Sequence, residues 1–458
     1  MNRVASRSAI AVLLALLLVA GMGFFVAEYV SEAENWVMFA GSPHVYSGGN
    51  IGCGTVVDAE GVILLNLEGE RFYASSEALR KATVHWLGDR YGSISAPALG
   101  SHAADLAGYD FVNGVYSYGN QDGVAKLTLY AQVQTAALEA MGEKKGTVAV
   151  YNYETGQILC AVTAPNYDPN NVPDLTSDDS GKYEGMYVNR FTQSTYIPGS
   201  IFKIVTLAAA LEEFPDAEDM TFTCGSVLEM DGGKITCERS HGKQNLKEAF
   251  RNSCNCTFAQ LALEIGGEKM EQYVEAFGIN RVVTFDGIDT AQGNYRANGA
   301  AEIDIGWSGV GQYEDQINPC AFMMFLGTLA GEGKGAVPYV VENVKVGNTR
   351  TYTAKTQTAE VGISPKTSRT VAEFMRNNVQ NQYGDDYFPG LKVCAKTGTA
   401  EVGGEKRPNA MLAGFATDTD YPLAFIVCVE DGGYGAQVCL PIASQVLSAC
   451  VDAMNSNG

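Results

Sequence analysis

The strongest pattern in the chain is its first. Arg3 and Arg7 are followed by positions 8 to 27, which hold no charge and are dominated by Leu, Val, Ala and Phe. A helix over such a run is long enough to span a bilayer. Basic residues precede it and Glu28, Glu32 and Glu34 follow, so the positive-inside rule leaves the N-terminus in the cytoplasm and the rest outside. A cleaved signal peptide would have a shorter apolar core, about 7 to 15 residues, and a small-x-small site within reach. The segment is therefore expected to stay as an uncleaved anchor. Residues 31 to 120 alternate short apolar runs with Gly, Tyr and Ser and predict a small mixed unit. From Leu127 to Met141, Leu129, Val133, Ala136, Ala137 and Ala140 recur at helical intervals and predict an amphipathic helix. Thr147 to Tyr153 and Gln157 to Thr163 are β-rich runs around Glu154, Thr155 and Gly156, the pattern of a hairpin. Lys392 to Ala395, Met411 to Thr417 and Leu423 to Val429 predict three more strands, and Pro441 to Met454 a closing helix with Pro at its start. Strands from both ends around a helix-rich middle predict one α/β domain whose sheet the termini complete. The expected division is thus 1–30 as cytoplasmic tip and anchor, 31–120 as a small extracytoplasmic unit and 121–458 as the main domain.

Composition narrows the choice of partner. The 52 acidic residues outnumber the 31 basic ones, a formal net charge of -21 that repels phosphate backbones, so nucleic acid is not expected. The 11 cysteines include no C-x-x-C pair, which argues against a zinc site and against a dense disulfide framework. Their odd number leaves at least one thiol free or intermolecularly paired. Cys224 and Cys237 bracket a short loop, and an exported location permits a disulfide there; two separately buried thiols are the alternative. Cys254 and Cys256 flank Asn255 without a neighbouring His or further Cys, which reads as small packed residues, and His241 reads as structural. No metal and no cofactor is expected.

The candidate chemistry lies in three short motifs. In Tyr196-Ile197-Pro198-Gly199-Ser200-Ile201-Phe202-Lys203, Pro198 and Gly199 stop the preceding chain and an apolar helix follows. Ser200 then falls in the first helical turn, where the macrodipole favours a developing alkoxide. Lys203 projects on the same face one turn on, where a neutral amine could take the Ser200 proton. S-x-x-K alone is weak, since Ser240-His241-Gly242-Lys243 also matches. That second match holds a helix-breaking Gly and opens no apolar helix, so it is set aside. Downstream come Ser253-Cys254-Asn255 and Lys396-Thr397-Gly398-Thr399, each the single S-x-N or K-[ST]-G of the chain. No G-x-S-x-G surrounds a serine, which disfavours a Ser-His-Asp hydrolase.

In order and separation these three motifs resemble a class B penicillin-binding protein of the serine transpeptidase and β-lactamase superfamily. The resemblance covers most of the chain. It extends to Gly146 through Leu159, to Ala164-Pro165-Asn166-Tyr167-Asp168-Pro169-Asn170, to Asn189-Arg190 and to Gly309-Val310-Gly311-Gln312 before a helix. Cys53 through Leu64 is similar to the family's stretch after the anchor, with Cys53 in place of an Arg; Met411-Leu412 stands where the family strand commonly has Trp-Phe.

The resemblance implies a penicillin-binding transpeptidase fold, an antiparallel sheet flanked by helices with a mostly helical subdomain. It implies that Ser200 attacks the penultimate D-Ala of a D-Ala-D-Ala stem peptide, that an amine resolves the acyl-enzyme, and that β-lactams trap the same serine. Lys203 would be the acylation base, Ser253 a proton relay to the leaving amine, and Asn255 the holder of Lys203 and a substrate amide. Lys396 would supply positive charge for the terminal carboxylate, with Thr397 and Thr399 as hydroxyl donors and Gly398 letting substrate backbone lie along the strand. The amides of Ser200 and Thr399 would form the oxyanion hole. A membrane glycan polymerase of the shape, elongation, division and sporulation type is the implied companion. The alternatives are a D,D-carboxypeptidase or β-lactamase, and a non-catalytic penicillin-binding sensor or scaffold.

Overall fold

The apolar run forms α1 (Asn2–Val37). Leu13, Leu17 and Phe24 on it are exposed, and Val4–Ala33 is long and apolar enough to cross a membrane. The structure, a computed structural model, describes residues 2–39, 41–67, 69–110, 113–116, 122–176, 180–404 and 406–456.

The expected amphipathic helix is α2 (Ala131–Met141), which starts four residues later than the spacing suggested. Gly123–Leu127 is instead a strand, parallel to Thr55–Val57 and antiparallel to Val341–Val346. Leu127 and Leu129 are buried by this pairing, which mimics helical spacing. The Asp58 carboxylate fixes the true start by accepting from the Ala131 amide at 2.9 Å. Strands Thr349–Thr353, Val341–Val346, Gly123–Leu127, Thr55–Val57, Ile63–Asn66 and Phe72–Tyr73 form one six-stranded sheet in that order. Segment 31–120 thus shares a sheet with two later stretches; the expected boundary at residue 120 lies outside the described residues.

The hairpin comprises β1 (Gly146–Asn152) and β2 (Ile158–Ala164), separated in sequence from the rest of its sheet by a long helical insertion. That insertion includes α3 (Lys203–Glu213), α4 (Asn255–Ile265) and the helices Glu302–Val310, Pro319–Ala330 and Pro365–Asn378. The chain then returns through β3 (Val393–Ala400), β4 (Asn409–Ala416) and β5 (Leu423–Val429) and ends in α5 (Gly435–Ser456). The five strands pair antiparallel in the order β3-β4-β5-β1-β2. Successive side chains face opposite sides of a sheet. Here Val148, Val150, Leu412 and Val427 pack with Val133 of α2 and Val446 of α5. Ala149, Tyr151, Met411 and Ile426 join Phe322 and Phe325 on the other side. Burial on both faces explains why these strands are continuous apolar runs.

Pro441 lies inside α5 rather than at its start. The helix begins earlier because Gly435 can touch β3: a Cβ there would collide with the Gly398 carbonyl. The site therefore sits where the edge strand β3 meets the start of α3.

Candidate active site

Gly199 has φ 53°, a conformation cheap only for glycine. Its amide donates to the Gly311 carbonyl at 2.9 Å, and a Cβ would come within 2.7 Å of the Thr399 carbonyl. The turn is thereby wedged between β3 and the left-handed cap that Gly311 gives the helix Glu302–Val310. Gly199–Phe202 is a single 3-10 turn that runs into α3. Ser200 sits in this turn and lines a cleft of about 950 Å³, together with Ser253, Asn255, Thr397, Gly398 and Thr399.

Two lysines lie behind that wall, Lys203 at 0% exposure and Lys396 at 1%. The Lys203 ammonium reaches Ser200 Oγ at 3.0 Å, Ser253 Oγ at 3.1 Å, the Ser253 carbonyl at 2.8 Å and Asn255 Oδ1 at 2.7 Å. Burial pushes its pKa down to about 8. Lys396 Nζ donates to Ser253 Oγ and to the Thr397 carbonyl, both at 3.0 Å. Burial, reinforced by the neighbouring Lys203 charge, drives it well below the usual lysine range. The Ser253 hydroxyl thus bridges two amines, and the Lys203 charge opposes protonation of Lys396.

Ser253 itself holds φ 51°. Cys254 is the N-cap of α4, and Asn255 is its first residue. Asn255 Nδ2 donates to the Thr236 carbonyl at 2.8 Å, which tethers the loop to the hairpin Val227–Met230/Gly233–Thr236. On the other wall, β3 pairs residue for residue with β4, Lys396 opposite Ala413 and Thr399 opposite Ala410. All eight expected residues converge on one cleft, whereas Lys243 of the discarded S-x-x-K match is exposed on another strand.

Three features had no signal in the motifs. Tyr383, in the irregular turn after Pro365–Asn378, accepts from the Thr397 amide and pairs with its hydroxyl, both at 3.1 Å. Gly311 holds the Ser200 turn from outside the three motifs, within the Gly309–Gln312 stretch of the resemblance. The third is a thiol cluster. Cys224 and Cys237 are both free, so the permitted disulfide is not formed. The strand Thr221–Cys224 pairs with Gly242–Asn245, while Cys237 leaves the neighbouring hairpin toward α4, 3.8 Å from Cys254 Sγ and 3.5 Å from Cys256 Sγ.

Residues 146–448 match the family described as penicillin binding protein transpeptidase domain. The chain belongs to this family. The transpeptidase domain is accompanied by relatives along most of its length. The peptidoglycan D,D-transpeptidase PbpA of Mycolicibacterium smegmatis is 30% identical over 356 residues, 71% of this chain and 72% of that protein. Stage V sporulation protein D of Bacillus subtilis is 29% identical over 350 residues, 70% of this chain and 52% of that protein. Among solved structures, the D,D-transpeptidase domain of an Eggerthella lenta peptidoglycan glycosyltransferase superposes with a TM-score of 0.72 at 27% identity, covering 88% of this chain and 98% of that one. The Mycobacterium tuberculosis penicillin-binding protein A in its penicillin G acyl-enzyme complex gives 0.74 at 24% identity, with 87% and 99% covered. At that identity the likeness speaks for the fold.

Proposed function

We propose that this chain is a peptidoglycan D,D-transpeptidase that works through a Ser200 acyl-enzyme. The observation that carries the proposal is the Lys203 amine, depressed to about 8 and 3.0 Å from Ser200 Oγ. Near neutral pH a useful fraction of it is unprotonated, and a base of this pKa is matched to its task. Lys203 takes the Ser200 proton as the oxygen attacks the penultimate D-Ala carbonyl. Ser253, touching both amines, relays a proton to the departing D-Ala, and Asn255 holds Lys203 in place. The amides of Ser200 and Thr399 receive the oxyanion, where one donor is worth about 3 to 4 kcal/mol. Thr397 and Thr399 present hydroxyls to the terminal carboxylate, Lys396 supports Ser253 from behind them, and Gly398 lets β3 lie against the Ser200 turn, where a Cβ would come within 3.0 Å of the Pro198 carbonyl. An incoming amine then takes the acyl group and frees Ser200. β-Lactams enter the same sequence and stop at the acyl-enzyme.

The exposed apolar helix α1 supports a single-pass anchor with an extracytoplasmic domain beyond it, in which the 31–120 segment shares a sheet with strands of the 121–458 transpeptidase unit. A membrane-embedded glycan polymerase is the companion this placement suits.

Mass spectrometry of the penicillin-treated full chain tests the proposal. The expected result is one adduct on Ser200 that persists for many minutes, absent from Ser200→Ala. An unchanged adduct in Ser200→Ala overturns the site. Turnover within seconds turns the reading toward a β-lactamase.

A further inference from the structure

We propose that Cys224, Cys237, His241 and Cys254 form a zinc site that clamps the Ser253–Asn255 loop beside the cleft. One ligand atom from each of the four lies within 4.8 Å of all the others. They come from four different places: the end of Thr221–Cys224, the exit from Gly233–Thr236, the loop before Gly242–Asn245 and the N-cap of α4. Nothing in the sequence spacing announces them, because two small ribbons must fold over the start of α4 before they meet.

The geometry suits a tetrahedral ion. With zinc–sulfur bonds of about 2.3 Å, two thiolates on one tetrahedron stand about 3.8 Å apart. Cys237 Sγ and Cys254 Sγ are 3.8 Å apart. His241 Nδ1 is buried and has no hydrogen-bond partner, an unsatisfied group that calls for a reason; a bound cation aimed at by its lone pair supplies one. Three sulfurs and one imidazole nitrogen are the donor set of a closed structural zinc site. Thr257 Oγ1 donates to Cys254 Sγ at 3.3 Å, the kind of outer contact that orients a ligating thiolate. On binding, the three thiols release three protons to solvent and neutral His241 coordinates through Nδ1. The complex then carries one net negative charge, and nothing is oxidised or reduced. Cys256, whose Sγ is 3.5 Å from that of Cys237, is left as the spare thiol.

The consequence concerns Ser253 and Asn255, the neighbours of Cys254 on either side. Fixing Cys254 to two ribbons holds Ser253 at its positive φ and keeps Asn255 Oδ1 on Lys203. The metal is a positioning element and touches no substrate. This consequence for acylation rests on the proposed transpeptidase reading; the metal site does not.

The test uses the full chain in detergent, stripped of metal under reducing conditions and titrated with Zn²⁺ or Co²⁺. One zinc per chain is expected, and Co²⁺ should give thiolate-to-cobalt charge-transfer absorption with tetrahedral d–d bands. Cys224→Ser and His241→Ala should lose stoichiometric binding, while Cys256→Ser should keep it. Stripped protein should acylate with labelled penicillin about tenfold more slowly and recover on adding zinc. Absence of stoichiometric zinc in the reduced parent overturns the site. So does peptide mapping that finds Cys237 of the protein as isolated in a disulfide with Cys254 or Cys256. Loss of metal from Cys256→Ser but not from Cys224→Ser overturns the ligand set. Metal content and the cobalt spectrum are independent of acylation, so a failed site and a failed transpeptidase reading are told apart.

Discussion

The two walls of the cleft are built on different principles. One is β3, whose residues Lys396 to Thr399 are fixed by a backbone ladder to β4 and by apolar burial on both faces of the sheet. The other is the Ser253–Asn255 loop, which has no ladder. Its serine sits at φ 51°, a conformation that costs a non-glycine residue about 1 to 3 kcal/mol and persists only when its surroundings enforce it. The enforcing contacts are a backbone cap on the preceding helix, the Ser253 and Cys254 amides donating to the Phe250 and Ala249 carbonyls, and side-chain bonds: Lys203 to the Ser253 carbonyl, Asn255 to the Thr236 carbonyl, and the thiols around Cys254. The sheet wall is placed by a strand ladder, and the loop wall by a helix cap together with side-chain bonds from residues distant in sequence. A change in the first should be absorbed locally, whereas a change in the second should spread to every group it holds.

Lys203 touches the loop wall and Ser200 together, so its removal should have the largest effect. Lys203→Ala is expected to slow penicillin acylation by about 10² to 10⁴, the usual contribution of a positioned base. The depressed pKa fixes the sign of the pH dependence. The neutral amine is the base, so the parent's acylation rate should climb as pH rises toward about 8 and level off above it. A variant that keeps that profile at an unchanged rate would remove Lys203 from the mechanism.

Lys396 sharpens the contrast because it reaches from the sheet wall to the loop wall. Its ammonium contacts Ser253 Oγ from behind the cleft lining. Lys396→Ala should therefore slow acylation by roughly tenfold to a hundredfold, the value of a charge-assisted contact of about 1.5 to 3 kcal/mol. The loss should be equal for an anionic penicillin and its carboxylate ester. A clearly greater loss with the anion would mean that Lys396 acts mainly on the ligand's carboxylate.

Tyr383→Phe should have the smallest effect, since it removes a hydroxyl that supports one residue of an already paired strand. A neutral hydrogen bond is worth about 0.5 to 1.5 kcal/mol, so first-encounter affinity for penicillin should weaken roughly twofold to tenfold. The maximal acylation rate should stay unchanged. A fall in that rate as large as the one from Lys396→Ala would show that the sheet wall is no more self-sufficient than the loop.

The same contrast governs what could be read from the sequence. β1, β2 and β5 were legible because burial on both faces leaves unbroken apolar runs. The three motifs were legible because their residue types have few other uses in that order. Tyr383 was not, since its role depends on a turn that brings position 383 against position 397. The strand Gly123–Leu127 was hidden because its residue types do not track its alternating burial, with Gly123 and Ala125 inward and Val124 outward, and its partners Thr55–Val57 and Val341–Val346 lie far off in sequence. Pro441 was misplaced as a helix start because a close approach of Gly435 to β3 outweighs a local proline signal. His241 and the thiols were judged singly, and only the packing of two ribbons on α4 makes them neighbours.

The sheet that joins the early strands to Val341–Thr353 also sets a leash. Val45 is already buried in the main core, Met38 packs against it and α1 ends at Val37, so residues 38–44 are at most the leash. Fully stretched, such a segment reaches about 25 Å. With α1 in a bilayer, as proposed, the cleft would stay within a thin shell at nearly fixed height above the membrane surface.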